Sequence, residues 1–555
     1  MYFGQLNHSI PTMLKQITFI IATFTSILSL TAQSKNIHLN SLGFLTDFEK
    51  TAIISKPSET FHILNTDGEV VFTGETTGPT YQKDIDQKVW NVNFSKLNTP
   101  GQYILEVDGV GKTTPFTIAS DAFNFAAKTS IRGFYLWRCG AEVKGTFKGR
   151  NYYQNICHLE DGYEDYIGNK GGKRDGTGGW HDAGDYGKYT VNAAITVGML
   201  FMAWDHFRSK IEKLDLEIPR SNSNLPAFLE EIKWETDWVL KMQYPDGSGR
   251  VSHKLTRVNF SPFIMPDKDH EKRYFTQWSS AATADFVAMM AMAARYFQPY
   301  DPIYAQQCLD AAWLSYKFLR NNPEDKGFVQ GDFQTGGYQT TDSDDRLWAA
   351  AEMWETTGDI VALKDFEKRA KELDFKVEEN WDWGNVSNLG MFTYVLSSRK
   401  GKTAKVQKSI IRNTIESADK LVEIADSDVY DRTLGETYFW GCNGAVARQS
   451  INLQVANRLK PKEDYTTTSI GILDHLFGKN YYNRSYVTGL GKNPPMHPHD
   501  RRSGADAIKE PWPGYLVGGG HSATDWVDDQ ESYSHNEIAI NWQAALVYAL
   551  AGFIE

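Results

Sequence analysis

From about Asp121 to Glu555, apolar positions recur at helical spacing with no convincing strand between them. Candidate helices cover 121–138, 189–208, 224–243, 279–297, 302–320, 345–357, 360–377, 404–424, 443–459, 464–478 and 536–553, with a weaker segment at 387–398. Several, such as Ala281 to Ala294, are small and apolar almost all round, the pattern of a helix covered on every side. The pattern predicts a ring or barrel of helical hairpins. Long loops rich in Gly, Asp and Trp join the helices, and loops of that length are where function concentrates.

The preceding stretch has a different period. Residues 36–118 carry short apolar runs with turn punctuation, such as Phe61-His62-Ile63-Leu64 before Asn65-Thr66-Asp67-Gly68. Trp90, Val92 and Phe94 alternate with Asn91 and Asn93, so this region reads as a small β-sandwich. Ahead of it, Lys15 precedes an apolar run from Ile17 to Leu30 that ends in Thr31-Ala32 and then polar residues. That is the layout of an export signal, too short for a good membrane span. Met13 would make a more conventional start, which leaves residues 1–12 as a mis-called extension. The expected organisation is a signal over 1–34, a sandwich over 35–120 and a helical domain over 121–555, in a secreted or periplasmic protein free of the membrane once the signal is removed. A net charge of -11 supplies no basic excess for phosphates and excludes a nucleic-acid partner.

Three loop segments carry chemistry. Gly178-Gly179-Trp180-His181-Asp182-Ala183-Gly184-Asp185-Tyr186 places two carboxylates three residues apart before a helix. Either residue could cap that helix, or both could address one water. Trp526 through Ile540 includes Asp528, Tyr533 and Glu537, and Ser534 with Glu537 has the spacing of a capping box. Ser485 through Arg502 includes His497, His499, Arg501 and Arg502, a set compatible with a metal site, a salt-bridged surface or a cleft facing sugar hydroxyls.

Together these segments resemble glycoside hydrolase family 9, the inverting cellulase family. The Asp-Ala-Gly-Asp turn after Gly-Gly-Trp, the His499-Asp500-Arg501 ending, and Trp526, Asp528, Tyr533, Glu537 and Ala539 follow its motifs in order; Gln543 departs from the usual Asn. Ile37 through Phe44 resembles the opening strand of the immunoglobulin-like domain found in one branch. The resemblance implies a mainly α fold, an (α/α)6 barrel behind a small immunoglobulin-like β-sandwich, acting as an inverting endo-β-1,4-glucanase on β-glucan polysaccharide or oligosaccharide. It implies Asp185 as base, Asp182 as orienter of the water and Glu537 as acid. His499, Arg501, Tyr533 and His253 would contact substrate. Inversion requires carboxyl groups roughly 6.5–9.5 Å apart, with the acid kept protonated.

Cys139 and Cys157 would be the obvious disulfide in an exported chain. With His158 and His181 they also make a closed two-Cys, two-His zinc set, and they resemble the branch's structural zinc site. Asp344 and Asp345, with Asp382, resemble a calcium loop, although acidic residues at a helix start need no metal. The rival functions are an exo-acting β-glucosidase or glucosaminidase of the same family, a silent glycan-binding protein, and a zinc hydrolase. Retained acid and base residues argue against the second. Four protein ligands, with no His-Glu-x-x-His helix, argue against the third.

Overall fold

The structure is a computed structural model describing residues 34–221 and 224–555. The expected signal, apart from Ser34, lies outside the described residues. Among them no helix is long and apolar enough to cross a membrane.

The N-terminal unit is an immunoglobulin-like sandwich of antiparallel sheets. One sheet runs in the order Ile37–His38, Thr51–Ile54, Gln87–Asn93, Thr77–Gln82. The other runs Val70–Glu75, Thr60–Leu64, Gly101–Val107, Gly111–Lys112, with Phe116–Ile118 also paired to Gly101–Val107. Period two explains its core: Tyr103, Leu105 and Val107 are buried while their neighbours face out, against Phe44, Phe61, Phe94 and Phe116.

Besides a single turn at Tyr533–Asn536, twelve α-helices follow among the described residues. They are α1 (Asn124–Leu136), α2 (Thr190–Ile211), α3 (Ala227–Met242), α4 (Ser280–Phe297), α5 (Pro302–Asn321) and α6 (Ser343–Thr357). The rest are α7 (Ile360–Glu372), α8 (Ser387–Leu396), α9 (Ala404–Asp426), α10 (Cys442–Leu459), α11 (Glu463–Leu476) and α12 (Ile540–Ala551).

They form an (α/α)6 barrel, with even-numbered helices inside and odd-numbered helices outside. Composition sorts the two rings. Every residue of α12 is buried, and α4 leaves only Arg295 and Tyr296 partly exposed, so neither could face water without losing apolar burial on some side. In contrast, α9 buries one stripe: Val406, Ile410, Thr414, Ala418, Leu421 and Ala425. Between α8 and α10 the inner ring is tied by the Trp381 indole, which donates to Asn452 on α10 at 2.9 Å.

The pattern expected to be helical from residue 536 begins instead at Ile540, because Glu537 and Ala539 are extended. The segment expected to run to 377 stops at Glu372, since Asp374 and Phe375 turn left-handed (φ 51° and 56°). Gln543, the departure from the family pattern, uses its length. It donates to Ser130 O (2.8 Å) and Gly514 O (2.6 Å) and accepts from Leu516 N (3.1 Å), tying α12 to α1 and to a site loop.

The sandwich docks on the barrel through buried polar contacts. His38 Nδ1 bonds Asn480 O at 2.7 Å, Asn40 Nδ2 donates to Asp474 Oδ1 at 2.8 Å, and Asn483 Nδ2 donates to Ile37 O at 2.8 Å. Asn40 is fully buried, so removing its amide leaves Asp474 without that donor. Asn40→Ala is expected to destabilise the protein by about 1–3 kcal/mol, read from the urea unfolding midpoint of the full chain.

Candidate active site

The loops before five inner helices meet in one cleft. Asp182 and Asp185 precede α2, Tyr338 precedes α6, Asp382 and Trp383 precede α8, Trp440 precedes α10, and Glu537 precedes α12; all line the cleft. Neither aspartate caps a helix, because α2 starts after Tyr189 with no side-chain cap. The capping box at Ser534 does not form either. Glu537 ends the single turn in extended backbone (φ -69°, ψ 155°), which frees its carboxyl for the cleft.

Backbone contacts lock the two acidic turns together. Ala183 and Ala539 form an antiparallel bridge, and Ile540 N donates to Asp182 O at 2.9 Å. Gly184 must be glycine, since a Cβ there would lie 2.1 Å from His499 O.

The two aspartates are held differently. Asp182 has both oxygens engaged, Oδ1 by Asn192 Nδ2 (2.7 Å) and Oδ2 by the Tyr338 hydroxyl (2.6 Å). Asp185 uses only Oδ2, which accepts from Gly187 N and the Tyr189 hydroxyl, both at 2.9 Å. Its Oδ1 makes no hydrogen bond among the described residues, and the residue lines the cleft. Burial, then the neighbouring Asp185 charge, push Asp182 up to about 8, against the two donors. Glu537 is raised well above the ordinary carboxyl range by burial and the charges of Asp185 and Asp182, with Arg501 and the Gly184 N–H opposing.

Other expected site residues have varied positions. His499 stands beside Glu537, its backbone N–H on Asn536 O (2.9 Å) and its Nδ1 on Gln530 O (2.7 Å), which leaves Nε2 for a ligand. Arg501 is a brace: Nε donates to Ser261 O and Nη1 to Gly184 O, each at 2.7 Å. Tyr533 sits on the rim, 53% exposed, its ring 5.3 Å from that of Trp440. The reading of His253 as a sugar contact is corrected. It is buried, with Nδ1 on Ser279 Oγ and Nε2 on Gly337 O, both at 2.8 Å, so no ring nitrogen is left for a sugar.

The calcium set is corrected too. Asp382 faces the cleft, where it accepts from Asn541 (2.9 Å) and pairs with Arg448 (3.0 Å). Asp344 accepts from Val386 N at 2.7 Å, and Asp345 is buried near Asp285 of α4, the carboxyl oxygens of both without a hydrogen-bond partner among the described residues. Among the described residues the three do not gather as a metal group. Tyr338, Tyr189, Asn192 and the aromatic wall of Trp383, Trp440 and Phe260 were missed. Tyr189 and Asn192 follow the Asp182 turn, Asn192 on α2, and the rest come from separate loops.

Cys139, Cys157, His158 and His181 do converge, with ligand atoms all within 4.8 Å of one another. Both cysteines are free thiols in this arrangement. The His158 Nδ1 to His181 Nε2 distance is 3.4 Å, and Cys139 Sγ lies 3.4 Å from His158 Nδ1. A tetrahedral zinc would set about 3.3 Å between nitrogens and about 3.5 Å between nitrogen and sulfur. His158 Nε2 and Asp269 Oδ2, buried and without hydrogen bonds, face each other at 3.6 Å. Ligation through Nδ1 would put the ring proton on Nε2, pointing at that carboxylate. The donor set fits a metal.

Residues 123–550 match the family profile described as Glycosyl hydrolase family 9, and residues 32–112 match that of a cellulase N-terminal ig-like domain. The chain is 55% identical over 520 residues to endoglucanase D of Acetivibrio thermocellus, covering 93% of this chain and 83% of that protein. It is 31% identical to a xyloglucan-specific endo-beta-1,4-glucanase of Bacteroides ovatus, covering 94% and 93% of the two chains. Among solved structures, a Zn-binding triple mutant of a GH family 9 endoglucanase superposes with a TM-score of 0.86 at 30% identity, covering 92% of this chain and all of that one.

The Glu537 environment has a consequence for stability. Its folded-state pKa lies above the ordinary value of 4.5, so the folded state holds a proton that the unfolded chain releases first. That contribution is fully present below the unfolded value and is lost as pH rises toward the folded one. The melting temperature of Glu537→Gln minus that of wild type is therefore expected to grow from pH 4 to pH 8. Scanning calorimetry across that range checks it, and a flat difference would contradict the raised value.

Proposed function

The chain belongs to glycosyl hydrolase family 9 and is an endo-β-1,4-glucanase, and from that premise we propose that it cleaves β-glucan by single displacement with inversion. Asp185 is the base, Glu537 the acid and Asp182 the holder of the water. The observation that carries this assignment is the unequal treatment of the three carboxyls. Asp185 Oδ1 is left open to the cleft, both oxygens of Asp182 are occupied, and Glu537 lies where its neutral form is favoured.

Water enters between the aspartates and the sugar. Asp185 Oδ1 takes its proton as the oxygen attacks the anomeric carbon. Glu537 gives its proton to the glycosidic oxygen, and the bond from that oxygen to the anomeric carbon breaks. Each such proton transfer contributes roughly 10²–10⁴-fold. Trp383, Trp440 and Phe260 offer flat faces for sugar rings, and His499 offers a hydrogen bond beside the acid. The preferred glucan is set by how these loops treat side branches, and the β-1,4-linked backbone is the common requirement. Export from the cell accords with the apolar N-terminal run.

We assign zinc to the Cys139, Cys157, His158 and His181 group, where it supplies structural closure with no open coordination position. His181 adjoins Asp182, and its backbone N–H is held by Trp137 O at 3.0 Å, so the ligands anchor the catalytic turn at its root.

Asp185→Ala and Glu537→Ala are each expected to lower the rate on carboxymethyl cellulose at least about 10³-fold with the fold retained, and the wild type to release the α-anomer first. Viscometry and proton NMR of the nascent product check this; a β-anomer, or activity surviving both substitutions, would sink the assignment. Cys157→Ser is expected to drop bound zinc from one per chain to under one tenth, measured by elemental analysis, and to lower the melting temperature.

A further inference from the structure

Lys254 opens the middle strand, Lys254–Thr256, of a three-stranded sheet whose edges are Lys188–Tyr189 and Tyr274–Phe275. Its side chain runs under the loop that leads to α6. The ammonium donates to Gly336 O at 2.7 Å and Gln330 Oε1 at 3.0 Å, and lies 3.3 Å from both Thr335 O and Thr335 Oγ1. It is fully buried, with the rings of Phe333 and Phe328 about it at 5.0 and 5.2 Å. The preceding residue, His253, bonds Gly337 O. Two consecutive side chains thus grip three consecutive carbonyls, those of Thr335, Gly336 and Gly337.

What the loop carries explains why it needs a grip. Tyr338 donates to Asp182, and Gly336 N donates at 3.2 Å to the Tyr189 hydroxyl, which in turn donates to Asp185. Tyr338 sits at φ 42°, in the left-handed region, a conformation costing a tyrosine about 1–3 kcal/mol that persists only where the surroundings over-determine it. A buried ammonium is itself costly, and three or four oxygen acceptors offset that cost. Burial also pushes Lys254 down to about 7, with the Asp185 charge opposing.

We propose that Lys254 is a positioning residue for hydrolysis: its ammonium fixes the Thr335-Gly336-Gly337 backbone so that Tyr338 and Tyr189 present their hydroxyls to Asp182 and Asp185. The inference rests on the roles proposed above for those aspartates. It makes a side chain outside the cleft a determinant of where the attacking water is held. The flat faces proposed above for sugar rings, those of Trp383, Trp440 and Phe260, lie outside this loop.

The test is steady-state kinetics on a soluble β-1,4-linked gluco-oligosaccharide with Lys254→Met, Tyr338→Phe and the double variant. Lys254→Met is expected to lower kcat about 10- to 100-fold, the scale of a 1 Å misplacement, with KM within about twofold of wild type. In the Tyr338→Phe background the same substitution is expected to cost several-fold less than in wild type, because the Asp182 branch is already gone and only the Tyr189 branch to Asp185 remains. Effects that multiply in the double variant, a rise in KM at unchanged kcat, or full activity would each overturn the proposal. Gln330→Met removes one acceptor and leaves the lysine in place. It is expected to lower kcat more mildly at constant KM, and an unchanged kcat there beside a Lys254→Met that cannot fold would reduce Lys254 to a folding role and overturn the proposal. Asp185→Ala decides the aspartate roles and the double variant decides the lysine's, so the two can fail separately.

Discussion

Three carboxyl groups share one mouth of the barrel, and they cannot all be charged. Two like charges 4 Å apart repel by about 4 kcal/mol at an effective dielectric of 20, and burial adds its own cost. The mouth resolves this by unequal solvation. Asp185 receives a backbone N–H and a tyrosine hydroxyl on one oxygen and opens the other to the cleft. Glu537 has little beyond a backbone N–H and a distant guanidinium to set against burial, so it keeps its proton. That division gives neighbouring carboxyls different proton affinities, and the proposed acid and base roles rest on it.

The barrel supplies the frame for it. Inner helices such as α12 and α4 are buried almost all round, and the carboxyls of the cleft collect in the loops before the inner helices' N-termini. Helix N-termini carry partial positive charge, which favours anions nearby. Glu537 lies outside the first turn, in extended backbone, because α12 begins at Ile540. An unbroken helix from residue 536 would have held the carboxylate in its first turn and favoured its ionised form.

Rigidity then comes from outside the cleft. The Cys and His ligand group grips the root of the catalytic turn, and Arg501 holds Gly184 O from above. The immunoglobulin-like sandwich bonds the segment 474–483, which leads directly into the loop bearing His499. Asp528 gathers that loop by accepting from Met496 N (2.9 Å), His497 N (2.9 Å) and Asn536 Nδ2 (3.2 Å), and so sets the strand from which Glu537 projects. Each brace is distant in sequence from the group it positions.

Much of this was legible in the linear chain. Helical periodicity located the twelve helices to within a few residues at most ends, because a helix buried all round or along a stripe has an unmistakable spacing. The acidic turns, the Cys and His ligand quartet and the strand-rich N-terminus were legible because each is a local pattern or matches a known motif. Other features belong to no local pattern. His253 became a loop anchor because Gly337, far along the chain, places a carbonyl against it. Asp382 left its acidic neighbours for the cleft because Arg448 and Asn541 pull it there. Tyr338, Asn192 and Lys254 acquired their parts through contacts across the barrel. The sequence determined which residue types were available and which segments were helical. Only the tertiary structure decided each carboxyl's partners and solvation, because a proton's affinity depends on neighbours that the folded chain brings together.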